Sequence, residues 1–146
     1  LLGDLLYHGP RNDLPREYAP KKVIEMLNAR KTQILCVRGN CEAEVDQMVL
    51  EFPVLSEFGV VFADGLTLYM LHGHKNLDIP VMPGDILLCG HTHVPAVRKD
   101  GEHYDVNPGS VSIPKEGSCH GYMILENRQL RHVSLEGENT LPDFTF

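Results

Sequence analysis

Apolar residues in the first half of the chain recur with helical spacing in two places. Val23, Ile24 and Leu27 form an apolar stripe that predicts a helix from Pro20 to about Arg30, and proline suits the first helical position. The stretch from Glu42 to Phe52 predicts a second helix with acidic residues in its first turn. Its apolar face comprises Val45, Met48, Val49 and Phe52. The segment from Tyr7 to Pro20 is rich in proline, asparagine and charge and predicts a long loop.

Short apolar or alternating runs, which are typical of strands, dominate the second half of the chain. The runs from Val60 to Ala63 and from Leu66 to Leu71 flank Asp64-Gly65, which is a strong signal for a hairpin turn. This order of elements suits two packed sheets with helices outside them. Further strands are predicted at Thr32 to Val37, Asp85 to Cys89, Ala96 to Lys99, Glu102 to Val106, Tyr122 to Glu126 and Gln129 to Leu135.

Length and composition favour a one-domain protein and argue against some classes of function. A chain of 146 residues can bury a sizeable core, and no linker is evident, so we predict one domain over residues 1–146. The formal net charge of −7 argues against general nucleic-acid binding, which needs a basic surface. No run of about twenty apolar residues predicts a membrane span. The four cysteines have no paired spacing, which favours a reducing, cytoplasmic location.

Four apolar runs end at or beside a glycine with a polar, metal-ligating residue type next to it. They are Leu1-Leu2-Gly3-Asp4, the run from Ile34 to Gly39-Asn40, the run from Leu68 to His72-Gly73-His74, and Ile86 to Cys89 followed by Gly90-His91-Thr92-His93. Ligands gather at the carboxyl ends of strands in α/β sheets, so these ends predict that Asp4, Asn40, His72, His91 and His93 meet. Carboxylate, amide and imidazole donors suit Mn, Fe, Zn or Ni.

Each of these residues also has an ordinary structural explanation. Asp4 and Asn40 follow glycines and could form turns or cap helices, and His72 could be a buried, hydrogen-bonded histidine. The order of the four motifs favours the metal-site interpretation over these explanations taken singly.

In their order, these motifs resemble the later motifs of the calcineurin-like metallophosphoesterases, and Gly39-Asn40-Cys41-Glu42 is similar to the YfcE-type phosphodiesterase family. The resemblance implies a four-layer α/β/β/α sandwich of two mixed sheets. It also implies a first strand ending in Asp-x-His, which this sequence lacks. We therefore expect that about thirty residues, a strand and a helix, are absent from the front. If the chain starts at Leu1, we expect one firmly held metal ion and little hydrolysis.

The resemblance also implies roles for the predicted ligands. Asp4 would bridge two divalent cations, and Asn40, His72 and His91 would complete one site with it. His93 would belong to the other site, together with the missing Asp and His. Mn²⁺ is the first candidate, with Zn²⁺, Fe²⁺ and Ni²⁺ as alternatives. The implied reaction is hydrolysis of a small phosphodiester by a water activated between two metal ions.

The remaining candidates lie around this centre. His74 would contact the substrate or the attacking water, or orient a ligand. Cys41 stands where many superfamily members have a histidine that donates a proton to the leaving group; a packing thiol at a helix start is the alternative. Because a thiol is a poor proton donor, we expect aryl phosphodiesters to react better than alkyl monoesters. Arg38, His8, Arg11 and Asn12 are candidate substrate-binding residues, and the alternatives are a paired arginine and a solvated loop.

Two other classes of function compete with a hydrolase. A protein-interaction subunit of the retromer coat resembles this fold with weak or no catalysis, but the presence of His72, His91 and His93 favours an enzyme. A zinc-structural or redox protein is disfavoured because no Cys-x-x-Cys pair exists. The sequence predicts no membrane partner, and a homo-oligomer stays open beside a monomer.

Overall fold

The computed structural model describes residues 1–6, 12–137 and 141–146. The helix predicted from Pro20 is present as α1 (Pro20–Asn28), with the proline in its first turn. Its apolar stripe packs against one hydrophobic cluster, as predicted from the spacing. That cluster comprises Leu6, Cys36, Leu50, Phe52 and Val54, with Val23, Ile24 and Leu27 against it.

The second predicted helix is much shorter than expected. It forms α2 (Glu44–Val49), preceded by a capping contact in which the Ala43 N–H donates to the Asp46 carboxylate at 2.8 Å. The acidic first turn is confirmed, with Glu44 and Asp46 in it. The predicted apolar face is wrong. Val45, Met48 and Val49 are exposed, and Phe52 is buried but lies beyond the helix end. Six residues form less than two turns, so neighbouring segments decide which side chains are covered.

The prediction of a strand from Thr32 to Val37 is also wrong. Lys31–Gln33 form a 3₁₀ turn, and the following residues run extended without belonging to either sheet among the described residues. Two backbone hydrogen bonds link Leu1 to this extended segment: the Leu1 amino group donates to Leu35 O at 2.7 Å, and the Leu1 carbonyl accepts from Val37 N–H at 3.1 Å. This is the pattern of parallel pairing, but two hydrogen bonds are too few to form a strand.

Two sheets account for the strands in the described ranges, and the predicted two-sheet α/β fold is confirmed. The strands are β1 (Phe58–Ala63), β2 (Leu66–Leu71), β3 (Ile86–Cys89), β4 (Ala96–Asp100), β5 (His103–Asn107), β6 (Gly121–Glu126), β7 (Gln129–Ser134) and β8 (Phe144–Thr145). The first sheet has the order β1-β2-β3-β5-β4, with β2, β3 and β5 parallel and the two edge strands antiparallel to their neighbours. The second sheet, β6-β7-β8, is antiparallel.

The core between the sheets comes from side chains on their facing sides. Leu68, Ile86 and Val106 of the first sheet and Leu130 of the second belong to one buried cluster. The predicted Asp64-Gly65 hairpin joins β1 to β2, and both turn residues have left-handed φ angles of 53° and 72°. Within the described ranges, no helix has the length and apolar character needed to cross a membrane.

Candidate metal centre

Three parallel strands end at one edge of the first sheet and bring their following residues together. His72 follows β2, Gly90-His91 follow β3, and Asn107 ends β5. The register pairs Leu71 with Cys89, and the Gly90 N–H continues the ladder by donating to His72 O at 2.9 Å. The expectation that these strand ends converge is therefore met by the geometry, as parallel topology requires.

Two glycine turns bring Asp4 and Asn40 to the same edge. The Cys41 N–H donates to Asp4 Oδ1 at 2.9 Å, which ties the turn after Gly3 to the turn after Gly39. A Cβ on Gly3 would lie 2.6 Å from Gly39 Cα, and a Cβ on Gly39 would lie 2.6 Å from Asp4 N. The glycines at the ends of these runs therefore permit a close approach of two backbones, which no larger residue allows.

Three other side chains surround one ring nitrogen of His72. Its Nε2 lies 3.1 Å from Asn40 Oδ1, 3.3 Å from Asp4 Oδ2 and 3.2 Å from His91 Nδ1. The His72 side chain is only 3% exposed, whereas Asn40 is exposed. Four of the five predicted ligands thus meet at one atom.

The other nitrogen of His72 indicates how the ring is protonated. His72 Nδ1 lies 2.5 Å from Leu2 O, and because a carbonyl can only accept, Nδ1 must carry a proton. In the neutral ring, the lone pair of Nε2 then faces the lone pairs of Asn40 Oδ1 and Asp4 Oδ2, which is a repulsive arrangement. A cation between these atoms, either a metal ion or a proton on the ring, removes the repulsion. The donor set and the fixed tautomer therefore fit a divalent metal ion.

The pKa shifts around His72 follow from the same contacts. Burial alone would lower the pKa of His72, but the hydrogen bonds to Asp4 and Leu2 outweigh it and raise that pKa. Burial would raise the pKa of Asp4, but hydrogen bonds from His72 and the Cys41 N–H keep it below its ordinary value. Asp4 is thus ionised at neutral pH and can attract a cation.

His91 and His93 occupy strained backbone positions beside this centre. Their φ angles are 65° and 63°, and that of Asp4 is 57°, which are uncommon for residues with a Cβ and cluster at functional sites. His93 Nδ1 donates to Ile113 O at 2.7 Å, so its Nε2 is left as a ligand atom. Burial is the main cause that lowers the pKa of each ring, which keeps both neutral and able to bind metal.

His74 and Cys41 also adjoin the centre. The His74 ring lies 5.2 Å from the His72 ring and 6.2 Å from the His91 ring, measured between centroids. Its Nδ1 is buried and has no hydrogen-bond partner within the described part of the chain. Burial, followed by the charge of His72, lowers the pKa of His74. Cys41 Sγ accepts a hydrogen bond from Asn40 Nδ2 at 3.3 Å, so the thiol lies next to a predicted ligand.

The candidate substrate-binding residues differ in where the structure places them. The Arg38 guanidinium donates to the backbone carbonyl of Glu42 at 3.2 Å. Asn12 lines a cavity of about 590 Å³ that is also lined by Asp4, His72, His91 and His93. His8 and Arg11 lie outside the described residues.

Two supporting residues were missed at the sequence level. Glu42 was predicted to begin a helix, but it precedes α2, is buried, and accepts hydrogen bonds from the N–H groups of Asp4, Leu5 and Gly39. Asn107 forms part of a turn, because its Oδ1 accepts a hydrogen bond from the Gly109 N–H at 2.9 Å. Its Nδ2 also donates to Gly90 O at 2.7 Å and to Thr92 Oγ1 at 3.0 Å, which fixes the loop that carries His91 and His93.

A second group of ligand types lies elsewhere on the first sheet. Within the described part of the chain, the β4–β5 hairpin carries three side chains whose ligand atoms all lie within 4.8 Å of one another: Asp100, His103 and Asp105. An ion pair of 3.4 Å between His103 and Asp105 accounts for part of this group. The candidate ligand atoms around His72 are farther from one another than those of this trio, because each of them is close only to His72 Nε2. Small side-chain movements would therefore be needed for all of them to contact one metal ion.

Comparisons with known proteins identify the family and the fold. Residues 5–129 match the calcineurin-like phosphoesterase superfamily domain. Phosphodiesterase YfcE from Escherichia coli K12 is 43% identical over 145 residues, which cover 97% of this chain and 78% of the relative. A solved structure of that E. coli phosphoesterase matches with a TM-score of 0.91 and 42% identity, covering 99% of this chain and 81% of that one. Zinc-bound Vps29 from Entamoeba histolytica, with 20% identity and a TM-score of 0.55 over 99% and 96% of the two chains, shares the fold.

Proposed function

The chain belongs to the calcineurin-like phosphoesterase superfamily, and on that premise we propose that it is a metal-dependent phosphodiesterase acting on small phosphodiesters. The 43% identical relative is named as a phosphodiesterase, which supports the diester over the monoester class. The four cysteines form no disulfide among the described residues, which supports a cytoplasmic location.

The observation that carries this proposal is the convergence of ligands on His72 Nε2. Asp4, Asn40 and His91 each approach that atom to within 3.3 Å, and Leu2 O fixes the ring in the tautomer that a metal requires. In this proposal these four side chains would hold one cation, and Asp4 would also contribute, together with His93, to holding a second. Mn²⁺ is our first candidate for both, because it accepts mixed oxygen and imidazole donors.

Bound divalent cations would lower the pKa of an attacking water and neutralise charge on the phosphoryl oxygens. The chain itself supplies the orientation of the ligands and a neutral imidazole. His74 stays neutral because burial lowers its pKa, so the chain has a neutral imidazole beside His72 and His91 that would be able to hold a phosphoryl oxygen or to move a proton. Cys41 is a weak proton donor beside Asn40, so substrates with good leaving groups should react best.

Hydrolysis of an aryl phosphodiester with added Mn²⁺ tests the proposal. We would compare residues 1–146, the same chain extended at its front by a strand ending in Asp-x-His, and the His72→Ala form of each. We expect Mn²⁺-dependent hydrolysis by the extended chain and little by residues 1–146, and we expect His72→Ala to abolish the hydrolysis. Activity confined to the extended chain would support two metal ions with shared ligands. Folded, metal-binding protein without activity in either form would contradict the proposal and favour an interaction module.

A further inference from the structure

One buried carboxylate links the two turns that carry Asp4 and Asn40. Glu42 is 5% exposed, and its Oε2 accepts hydrogen bonds from Asp4 N–H at 2.8 Å and from Gly39 N–H at 2.6 Å. Its Oε1 accepts from Leu5 N–H at 2.6 Å. These three donors come from two segments more than thirty residues apart in sequence. Burial of a carboxylate is unfavourable unless it is well hydrogen-bonded, so this arrangement is a specific one.

We propose that Glu42 is the positioning residue of the metal centre, which holds Asp4 and Asn40 at the spacing that a divalent cation requires. The inference rests on the proposed metal site and goes beyond it, because Glu42 donates no ligand atom to the cation. It acts through the backbone of residues 3–5 and 39–41.

The contacts around Glu42 explain how it would set the ligand geometry. Asp4 has a left-handed φ of 57°, a conformation that is uncommon for residues with a side chain, although aspartate tolerates it better than most. Glu42 accepts from the N–H on each side of the Asp4 Cα, at Asp4 and at Leu5. Its contact with Gly39 N–H fixes the peptide bond between Arg38 and Gly39, one residue before Asn40.

The charge of Glu42 has a second effect on the same centre. Because this carboxylate lies behind the turns that carry the ligands, it attracts a cation electrostatically in addition to accepting the backbone hydrogen bonds of those turns.

Glu42→Gln separates this role from ordinary packing. The variant keeps the size of the side chain but has one acceptor oxygen, so it loses at least the hydrogen bond to one of the three N–H groups and its charge. We expect the dissociation constant for Mn²⁺, measured by titration calorimetry, to rise about 10- to 100-fold. Hydrolysis should recover at correspondingly higher Mn²⁺ concentration, with the KM for an aryl phosphodiester unchanged.

Asp46→Asn is the matched control, because Asp46 is also a buried carboxylate in the same segment. It is 9% exposed and accepts from Ala43 N–H at 2.8 Å, but within the described residues it makes no hydrogen bond or ion pair with Asp4, Asn40 or the histidines. We expect this variant to lower the thermal stability of the metal-free protein and to leave the Mn²⁺ dissociation constant within about twofold of the wild-type value. If Glu42→Gln does not fold, Glu42→Asp, which keeps the charge on a shorter side chain, takes its place with the same expected direction.

The outcomes distinguish this inference from the proposed function. If the wild-type protein binds no Mn²⁺, the metal site itself is wrong. If the wild-type protein binds Mn²⁺ and the folded Glu42 variant binds it equally well, the metal site stands and the positioning role is wrong. Weaker Mn²⁺ binding in the Glu42 variant but not in Asp46→Asn supports the inference.

Discussion

The substitution Gly39→Ala adds one methyl group at the closest backbone approach in the candidate metal centre. The new Cβ would lie 2.6 Å from Asp4 N and closer still to Asp4 Oδ1. Neither neighbour is the flexible end of a long side chain, because the Asp4 N–H is held by Glu42 and the carboxylate by Cys41 N–H and His72. The two turns must therefore separate to admit the methyl group.

The size of the effect follows from that movement. Overpacking a tight site costs about 1–3 kcal/mol. Loosening one hydrogen bond to an ionised carboxylate adds about 1.5–3 kcal/mol. We therefore expect Gly39→Ala to lower the free energy of unfolding by about 3 kcal/mol or more. For a chain of 146 residues this corresponds to a fall in Tm of about 6–12 °C.

Gly59→Ala provides a matched control within the same protein. A Cβ there meets only Val37 Cγ1 at 3.7 Å and Met70 Cβ at 4.0 Å, which are ordinary contacts. Alanine in a strand interior is more favourable than glycine by about 0.5–1 kcal/mol, so this variant should be neutral or slightly stabilised. Calorimetric Tm values of the metal-free variants and their Mn²⁺ affinities test both expectations. A Gly39→Ala protein with wild-type Tm and wild-type Mn²⁺ affinity would refute the close approach of the two turns.

Three further predictions concern chemistry, loop support and pH. Cys41→His should supply a proton donor and lower the ratio of aryl-diester to alkyl-monoester rates by about tenfold or more, and an unchanged substrate profile would rule the idea out. Asn107→Ala removes the donor to Gly90 O and Thr92 Oγ1 and should cost about 1–3 kcal/mol in urea unfolding, with weaker Mn²⁺ binding; unaltered values for both would contradict a supporting role. Burial, the main cause, raises the pKa of the Cys36 thiol from 9.0 to about 11, so the folded chain keeps a proton that the unfolded chain loses. The contribution of the protonated thiol to the free energy of unfolding is therefore complete below pH 9 and is lost as the pH rises, which lowers that free energy by about 2–3 kcal/mol near pH 11. The free energy of unfolding of Cys36→Ala should fall less over the same pH range.

The fold could be predicted where local chemistry determines structure. Asp64-Gly65 specifies a tight turn because both residues tolerate left-handed φ angles, and the hairpin that it predicts is confirmed. The apolar stripe and first-turn proline of α1 likewise predict a real helix. The strand from Thr32 and the length of α2 were wrong, because propensity does not reveal which neighbour is present to pair with or cover a segment. The two-residue β8 was missed because it exists only through its pairing with Gln129 and Leu130.

The convergence of four candidate ligands could be predicted because an apolar run that stops at or beside a glycine leaves a pattern in the sequence. Asp4, Asn40, His72 and His91 all lie at such ends, and the other three side chains surround His72 Nε2. Glu42 could not be predicted in the same way. An acidic residue before a helix is ordinarily explained by the helix dipole, whereas two of its three partners, Asp4 and Leu5, are distant in sequence.

Anomalous diffraction at the manganese edge from crystals soaked in Mn²⁺ would test the metal centre most directly. We predict a peak within coordination distance of His72 Nε2, with Asp4, Asn40 and His91 around it. A peak at the hairpin trio of Asp100, His103 and Asp105 with none at His72 would contradict the assignment of the centre and the hydrolytic function built on it.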